Sequence, residues 1–233
     1  MVAVVVSITL EVREVQAEQT AQVAPTEATT KMAGGYAPPI GYQTHRSLEA
    51  QTVSFLETKQ RLPEQVEVGI RDHVRANWEA LVVIDPSTST GWVTTREEVI
   101  LTFDVATGIG GLSNVPGSNG TPTGSHEIWT TVAGKPQEIL QGRQPTGVTA
   151  KAETGKGQVV TGLLALAGLE STNQSSYART IYIHGTNYPS SLGNGVGSSG
   201  CVRVSDQTIY ALLAIAEKQA VDVHILNRAW TGN

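Results

Sequence analysis

The chain of 233 residues has a single cysteine and no run of lysines or arginines. One thiol cannot form an intramolecular disulfide, and a cysteine-rich zinc site is excluded for the same reason. The net charge is −5 and only 16% of the residues are charged. No basic face is therefore expected, which argues against a nucleic-acid-binding protein. No apolar run reaches the roughly eighteen residues that a transmembrane segment needs.

Aromatic residues are also scarce, at 5%, whereas glycine is abundant, with 24 residues. This balance favours strands and loops over a helical bundle. Hydrophobic residues make up 39% of the chain, which is enough for a globular core over most of its length.

Residues 1–45 are predicted to be a flexible N-terminal segment. Between residues 15 and 45 the sequence is rich in Ala, Thr, Gln, Pro and Gly and has no apolar period. The short apolar run before Glu11 lacks the basic region and the length of a typical signal peptide. Two interpretations stay open for it: an ordinary N-terminus, or a weak or truncated export signal.

Residues 46–78 are predicted to be a helical lead-in packed against the following domain, because the segment is too short for a core of its own. Val66, Ile70, Val74 and Trp78 recur every four residues behind Pro63, which stands where helices often begin. An earlier helix is predicted over residues 48–62.

Residues 79–228 are predicted to form a mostly β domain, followed by a tail at 229–233. Short β-rich runs and turn residues indicate strands at 81–84, 99–103, 125–131, 180–184 and 221–226. Ser205 or Asp206 can cap a helix with one apolar stripe, formed by Ile209, Leu212, Leu213 and Ala216.

The cysteine lies at the end of a loop rich in Gly, Ser and Asn, in the stretch IHGTNYPSSLGNGVGSSGCVRV. In an extended strand Ile181 and Ile183 face one way, and Tyr182 and His184 face the other. A loop can then fold back and bring Cys201 to His184, where the imidazole would promote loss of the thiol proton and form an ion pair.

The turn before the cysteine supplies the second half of this chemistry. Gly200 behind Ser198 and Ser199 allows a tight turn whose backbone N–H groups can stabilise an oxyanion. Arg203 leaves an extended segment on the same face as Cys201, where it could hold a carboxylate or brace the loop. The spacing alone also permits a buried structural cysteine. The remaining histidines are predicted to be structural or exposed: His45, His73, His126 and His224.

The residues His184-Gly185-Thr186 and Ser198-Ser199-Gly200-Cys201-Val202-Arg203 resemble the active-site motif of the L,D-transpeptidase catalytic domain (YkuD-like) family. The segment at 121–124, TPTG, resembles the family's T-P-x-G segment, and ARTIYIHGT resembles the strand that carries its histidine. The resemblance covers roughly the last two thirds of the chain. The family usually has a histidine directly before Gly-Cys, where this chain has Ser199; that histidine is not the family's general base.

The resemblance implies a β-sandwich or barrel-like catalytic domain that acts on peptidoglycan outside the cytoplasm, without a metal or organic cofactor. Cys201 would attack the third residue of a stem peptide and release D-alanine, with His184 as base, oriented by the carbonyl of Gly185. Backbone N–H groups of residues 199–201 would hold the oxyanion. A second stem would resolve the thioester into a 3→3 cross-link. The predicted substrate-binding residues are Arg203, Thr186, Ser198 and Tyr182.

The sequence leaves the acceptor open. Water would make the protein an L,D-carboxypeptidase, and a D-amino acid or a lipoprotein would make it an exchange or release enzyme. A non-catalytic domain that binds the cell wall is the alternative from another class.

Overall fold

The computed structural model of the protein describes residues 60–70, 78–140 and 158–229. The flexible segment predicted over 1–45 lies outside them, as do most of the helix predicted over 48–62, Val74, and all but the first residue of the tail. The elements are, in chain order, α1 Glu64–Ile70, β1 Ala80–Asp85, β2 Thr90–Thr94, β3 Val99–Asp104, β4 Thr107–Gly108, β5 Gly124–Ala133, β6 Val159–Gly168, β7 Tyr182–Thr186, β8 Val196–Ser198, β9 Val202–Val204, α2 Asp206–Lys218 and β10 Val221–Ile225.

Eight of the strands form one sheet, in the order β3-β2-β1-β10-β5-β6-β7-β9, and β4 pairs with β8 in a small second sheet. Neighbouring strands of the large sheet are antiparallel, except β1 with β10 and β7 with β9, which are parallel. The large sheet curls into a half-barrel. The mostly β fold class and the barrel-like architecture predicted from the sequence are therefore confirmed.

The main core joins the large sheet to α2, which packs against β6 and β7. It contains, among other buried side chains, Val82, Ile84, Leu164, Ile183, Ile209 and Leu212. A smaller cluster contains Leu140, Leu163, Ala165 and Tyr182, with Trp129, Val132, Val159 and Cys201 at its partly buried margin. Because neighbouring residues of a strand point to opposite faces, β7 contributes Ile183 to the main core and Tyr182 to the smaller cluster.

The helix predicted after Arg203 is present as α2, and of the two predicted caps Ser205 is the one used: its hydroxyl accepts a hydrogen bond from the Thr208 N–H at 3.1 Å. The predicted stripe of α2 is buried at Ile209, Leu212 and Leu213. The helix behind Pro63 is present over Glu64–Ile70. The helix predicted over 48–62 is wrong at its end, because Gln60 instead forms a β-bridge with Val99.

Candidate active site

His184 lies in the middle of β7, and its parallel neighbour β9 begins one residue after Cys201. The register pairs Ile183 with Val202 and His184 with Arg203. Since side chains alternate along both strands, Cys201 leaves on the same face as Arg203 and His184. The two residues predicted to react together, seventeen positions apart in the sequence, thus belong to one face at the edge of the large sheet.

The His184 ring is buried, with 2% of its surface exposed. Its Nδ1 lies 2.8 Å from the carbonyl oxygen of Gly185. A carbonyl can only accept, so Nδ1 carries the proton and Nε2 holds the lone pair. Burial lowers the pKa of His184 to about 4; the Gly185 hydrogen bond opposes this shift and the charge of Arg203 adds to it. The ring is therefore neutral at pH 7, the state in which Nε2 can accept a proton.

Cys201 is partly buried beside Tyr182, and its Sγ–H donates to the backbone carbonyl of Thr180 at 3.5 Å. The sequence predicted an imidazolium–thiolate ion pair. Burial of His184 lowers its pKa and so disfavours the imidazolium that this pair would need; the ion pair itself stays a prediction.

The turn before Cys201 is held by the buried Ser198. The Ser198 hydroxyl accepts from the Gly200 N–H at 3.1 Å and donates to the Cys201 carbonyl at 2.5 Å. Gly200 has φ +123°, a conformation that residues with a side chain rarely adopt. Ser199 is exposed. Because Ser198 occupies the Gly200 N–H, an oxyanion role for that group requires the Ser198 hydroxyl to be displaced or shared.

All four side chains predicted to bind substrate are buried in this structure, with exposed fractions between 2% and 4%. Thr186 accepts a hydrogen bond from the Tyr188 N–H at 3.1 Å, and Tyr182 belongs to the smaller cluster. Because they are buried, Thr186, Ser198 and Tyr182 have a structural role in the site. For Arg203, burial beneath the loop favours bracing over the capture of a substrate carboxylate; substrate contact stays a prediction for all four.

His126 and His224 were predicted to be structural or exposed, and both are buried and hydrogen-bonded. His126 bonds the Gly124 carbonyl and the Ser176 hydroxyl, each at 3.0 Å, and burial lowers its pKa to about 4. His224 Nδ1 lies 3.0 Å from the Ser125 hydroxyl. His45 and His73 lie outside the described residues.

Three residues near the thiol were not predicted to act there. The Thr121 hydroxyl donates to the Gly200 carbonyl at 3.0 Å, the Thr180 carbonyl accepts from Cys201, and the Arg179 guanidinium lies beside Gly200. Thr121 and Arg179 belong to segments that the sequence had singled out, TPTG and ARTIYIHGT, but nothing in the spacing assigned them a role.

Within the described ranges, no three His, Cys, Asp or Glu side chains come together as a protein metal site would require. None of the helices in these ranges is both long and apolar enough to cross a membrane.

A partly buried thiol directly before β9 and an oriented imidazole in β7 lie on one face of the sheet edge, an arrangement that can serve cysteine–histidine chemistry. The family model described as the L,D-transpeptidase catalytic domain (YkuD) matches residues 79–225, and the chain therefore belongs to this family. The matched segment lies within the domain predicted over 79–228. No curated protein matches the chain in sequence.

The chain is also similar to solved L,D-transpeptidase structures. The enzyme from Mycobacterium smegmatis is 17% identical with a TM-score of 0.40, over 63% of this chain and 58% of that one. An Enterococcus faecium mutant enzyme is 14% identical with a TM-score of 0.42, over 64% and 50%. The enzyme from Xylanimonas cellulosilytica is 14% identical with a TM-score of 0.37, over 70% of each chain. The chain thus spans between half and three fifths of the first two.

Proposed function

We propose that the protein is an L,D-transpeptidase in which Cys201 is the nucleophile and His184 the general base. One observation carries the proposal: β7 and β9 place the only thiol on the same face as a buried imidazole whose Nδ1 is fixed by Gly185. Because Nδ1 holds its proton against a carbonyl, Nε2 is the nitrogen that can accept the thiol proton. Family membership supports the same assignment.

In the proposed reaction the Sγ of Cys201 attacks the carbonyl carbon of the third residue in a peptidoglycan stem, while Nε2 of His184 takes the thiol proton. The tetrahedral intermediate collapses, its C–N bond breaks, and the imidazolium gives its proton to the leaving amine of D-alanine. The amine of a second stem then attacks the thioester, His184 takes the amine proton, and the thiol is restored as the 3→3 cross-link forms. No metal or organic cofactor takes part.

Backbone N–H groups of the Ser198–Cys201 turn stabilise the oxyanion in this mechanism. The Gly200 N–H already bonds the Ser198 hydroxyl, which can rotate away when a stronger, charged acceptor arrives. Ser199, which stands where the family usually has histidine, takes part through its backbone, and its exposed side chain can be changed without altering the chemistry.

The proposed substrate places the working site outside the cytoplasm, in the periplasm or the cell wall. Stem peptides are the proposed partners, with a D-amino acid or a lipoprotein as other acceptors for the same acyl-enzyme. If water resolves the thioester instead, the protein is an L,D-carboxypeptidase, and the products distinguish these outcomes.

The test is acylation of the purified protein by a carbapenem, whose strained ring presents a carbonyl to the thiol. Intact-mass measurement should show one added drug mass, absent in Cys201→Ala. In His184→Ala the acylation rate should fall by about 100-fold or more, as expected for loss of a general base. The exposed-residue variant Ser199→Ala is the control and should keep the wild-type rate.

The same preparations should be incubated with tetrapeptide stems. Release of D-alanine together with a dimer joined between two third residues supports transpeptidation, and release without the dimer changes the assignment to carboxypeptidase. If folded wild-type protein gives neither adduct nor release, catalysis is refuted and the protein is a domain that binds the cell wall.

A further inference from the structure

Arg179 lies in the turn between the 3₁₀ helix at Gln174–Ser176 and strand β7, five residues before His184. Its guanidinium bonds two carbonyl groups of the flanking loop, defined as residues 109–123. Nη1 donates to Ser113 at 2.9 Å and Nη2 donates to Gly120 at 2.5 Å. The rigid fork of arginine is suited to such a pair of acceptors. The side chain therefore ties the approach to β7 to the flanking loop.

The same loop packs directly on the turn that carries the thiol. A Cβ placed on Gly200 would lie 3.0 Å from the Gly120 carbonyl oxygen and 3.6 Å from Nη2 of Arg179. The Thr121 hydroxyl donates to the Gly200 carbonyl at 3.0 Å and accepts from the Gly108 N–H at 2.8 Å. Arg179, the flanking loop and the residue before Cys201 thus form one packed unit.

The residue after Arg179 contacts the sulfur itself, since the carbonyl of Thr180 accepts from the Sγ–H of Cys201. Backbone bonds from Arg179 to Ser175 and from Thr180 to Tyr177 hold this turn in place. The chain therefore brings a guanidinium and a carbonyl acceptor to neighbouring positions around the thiol.

Four other titratable side chains lie near Cys201 or Arg179: Tyr182 and His184 from β7, Arg203 from β9 and His126 from β5. A fifth group, Glu170, acts electrostatically on His126. His184 is neutral at pH 7, and Arg203 is the register partner of His184 rather than of the thiol. Burial lowers the pKa of Arg179, and attraction to a Cys201 thiolate opposes that shift.

We propose that Arg179 is a positioning residue of the site, which holds the Gly200 turn against the flanking loop and places a permanent positive charge beside the Cys201 thiolate. This inference rests on the proposed function, in which Cys201 is the nucleophile. On this proposal the positive charge that favours the Cys201 thiolate belongs to Arg179, which stays protonated throughout the working pH range. The buried imidazole of His184 is neutral in that range and does not supply the charge.

The test is the rate of alkylation by iodoacetamide as a function of pH, which reports on Cys201 alone because the chain has no other thiol. In Arg179→Gln the midpoint of the pH–rate profile should move up by about one pH unit, the effect expected for loss of an adjacent opposite charge. The rate at pH 7 should fall about threefold to tenfold. The exposed Arg61, which lines a separate cavity with Trp78, gives the matched control Arg61→Gln, whose profile should not move.

Arg179→Lys separates the charge from the brace. Lysine keeps the charge but cannot bond both carbonyls as a fork, so its midpoint should stay near the wild type while its melting temperature falls. If Arg179→Gln does not fold, the alkylation profile of Arg179→Lys still tests the inference. Two outcomes would overturn the inference. One is the same midpoint in wild type and Arg179→Gln. The other is a midpoint in Arg179→Lys that moves up by about one pH unit, the shift expected for Arg179→Gln.

The carbapenem adduct distinguishes this failure from failure of the proposed function. Wild-type protein that is acylated at Cys201, but whose profile does not respond to Arg179→Gln, refutes only the role of Arg179. Folded wild-type protein that gives neither the adduct nor release of D-alanine refutes the proposed function, and the role of Arg179 with it.

Discussion

Two threonines, Thr161 and Thr180, have backbone conformations that β-branched residues rarely adopt, with φ of +69° and +57°. At Thr161 two hydrogen bonds offset the cost of this conformation: its hydroxyl donates to Asp206 at 2.6 Å and accepts from the Gln137 N–H at 2.9 Å. The strain at Thr180 falls beside the thiol, where its carbonyl accepts from Cys201. Strain of this kind is retained where the surrounding structure fixes the backbone, often at functional sites.

Thr180→Asn should raise the free energy of unfolding by about 0.5–1 kcal/mol, because asparagine tolerates the left-handed region better than a β-branched residue does. Urea unfolding at pH 7.5 measures this. Thr102 supplies the matched control, since it is exposed in the regular strand β3. Thr102→Asn should lower stability, because asparagine is a poorer strand former. Loss of stability in both variants would mean that Thr180 is not strained.

At the scale of single residues, the sequence predicted what depends on local periodicity. The alternation from Ile181 to His184 places side chains as expected, with Ile183 in the main core and Tyr182 in the smaller cluster. Arg179 was not predicted because its partners lie 59 and 66 positions away in the chain. No local pattern encodes such contacts. The lowered pKa of His184 was not predicted for the same reason, since burial is a property of the packed fold.

At the scale of elements, α2 was predictable because a cap and an apolar stripe coincide in the sequence. Strand β6 was not predictable, because its run of Leu and Ala shows no alternation of apolar and polar residues. Such a run suits a buried helix as well as a buried strand. Strand β2 was obscured by Gly91, since glycine weakens a strand signal. The structure explains that glycine: a Cβ at this position would lie 2.3 Å from the Phe103 ring.

The start of α2 gives a prediction at this scale. Ser205→Ala should lower the free energy of unfolding by about 1 kcal/mol, because the Thr208 N–H loses its hydrogen-bond acceptor. Ser205→Asp, which keeps an acceptor and places a negative charge at the helix N-terminus, should restore most of it. Chemical unfolding of the three proteins is the measurement. Equal stability of the wild type and the Ala variant would show that the cap contributes nothing.

At the scale of the whole molecule, the candidate site is assembled from distant parts of the chain. The flanking loop at 109–123, the turn before β7 and the segment from Ser198 to Arg203 meet around one thiol. The motifs at 184–186 and 198–203 were enough to predict the family, since they lie close together in sequence. The arrangement around them depends on parallel pairing of β7 with β9 and on long-range contacts, which a single sequence does not encode.

Both His126 and His184 are buried with the pKa lowered to about 4, from an ordinary value of 6.5. In the unfolded chain each imidazole takes up a proton as the pH falls below 6.5, whereas in the folded protein it does so only near 4. Between these values the unfolded state binds more protons, so the free energy of unfolding falls as the pH falls. The stabilisation from the two neutral rings is complete above pH 6.5.

We therefore expect stability to be level near pH 7.5 and to fall from about pH 6.5 towards pH 4, by about 2 kcal/mol for each histidine at pH 4.5. Urea unfolding at pH 7.5, 6.5, 5.5 and 4.5 measures the loss. His126→Gln keeps polar atoms near Gly124 and Ser176 but cannot titrate, so it should start less stable and lose only about half as much on acidification. An unchanged loss in that variant would mean that His126 is protonated in the folded protein well above pH 4, and that the acid sensitivity arises from other groups.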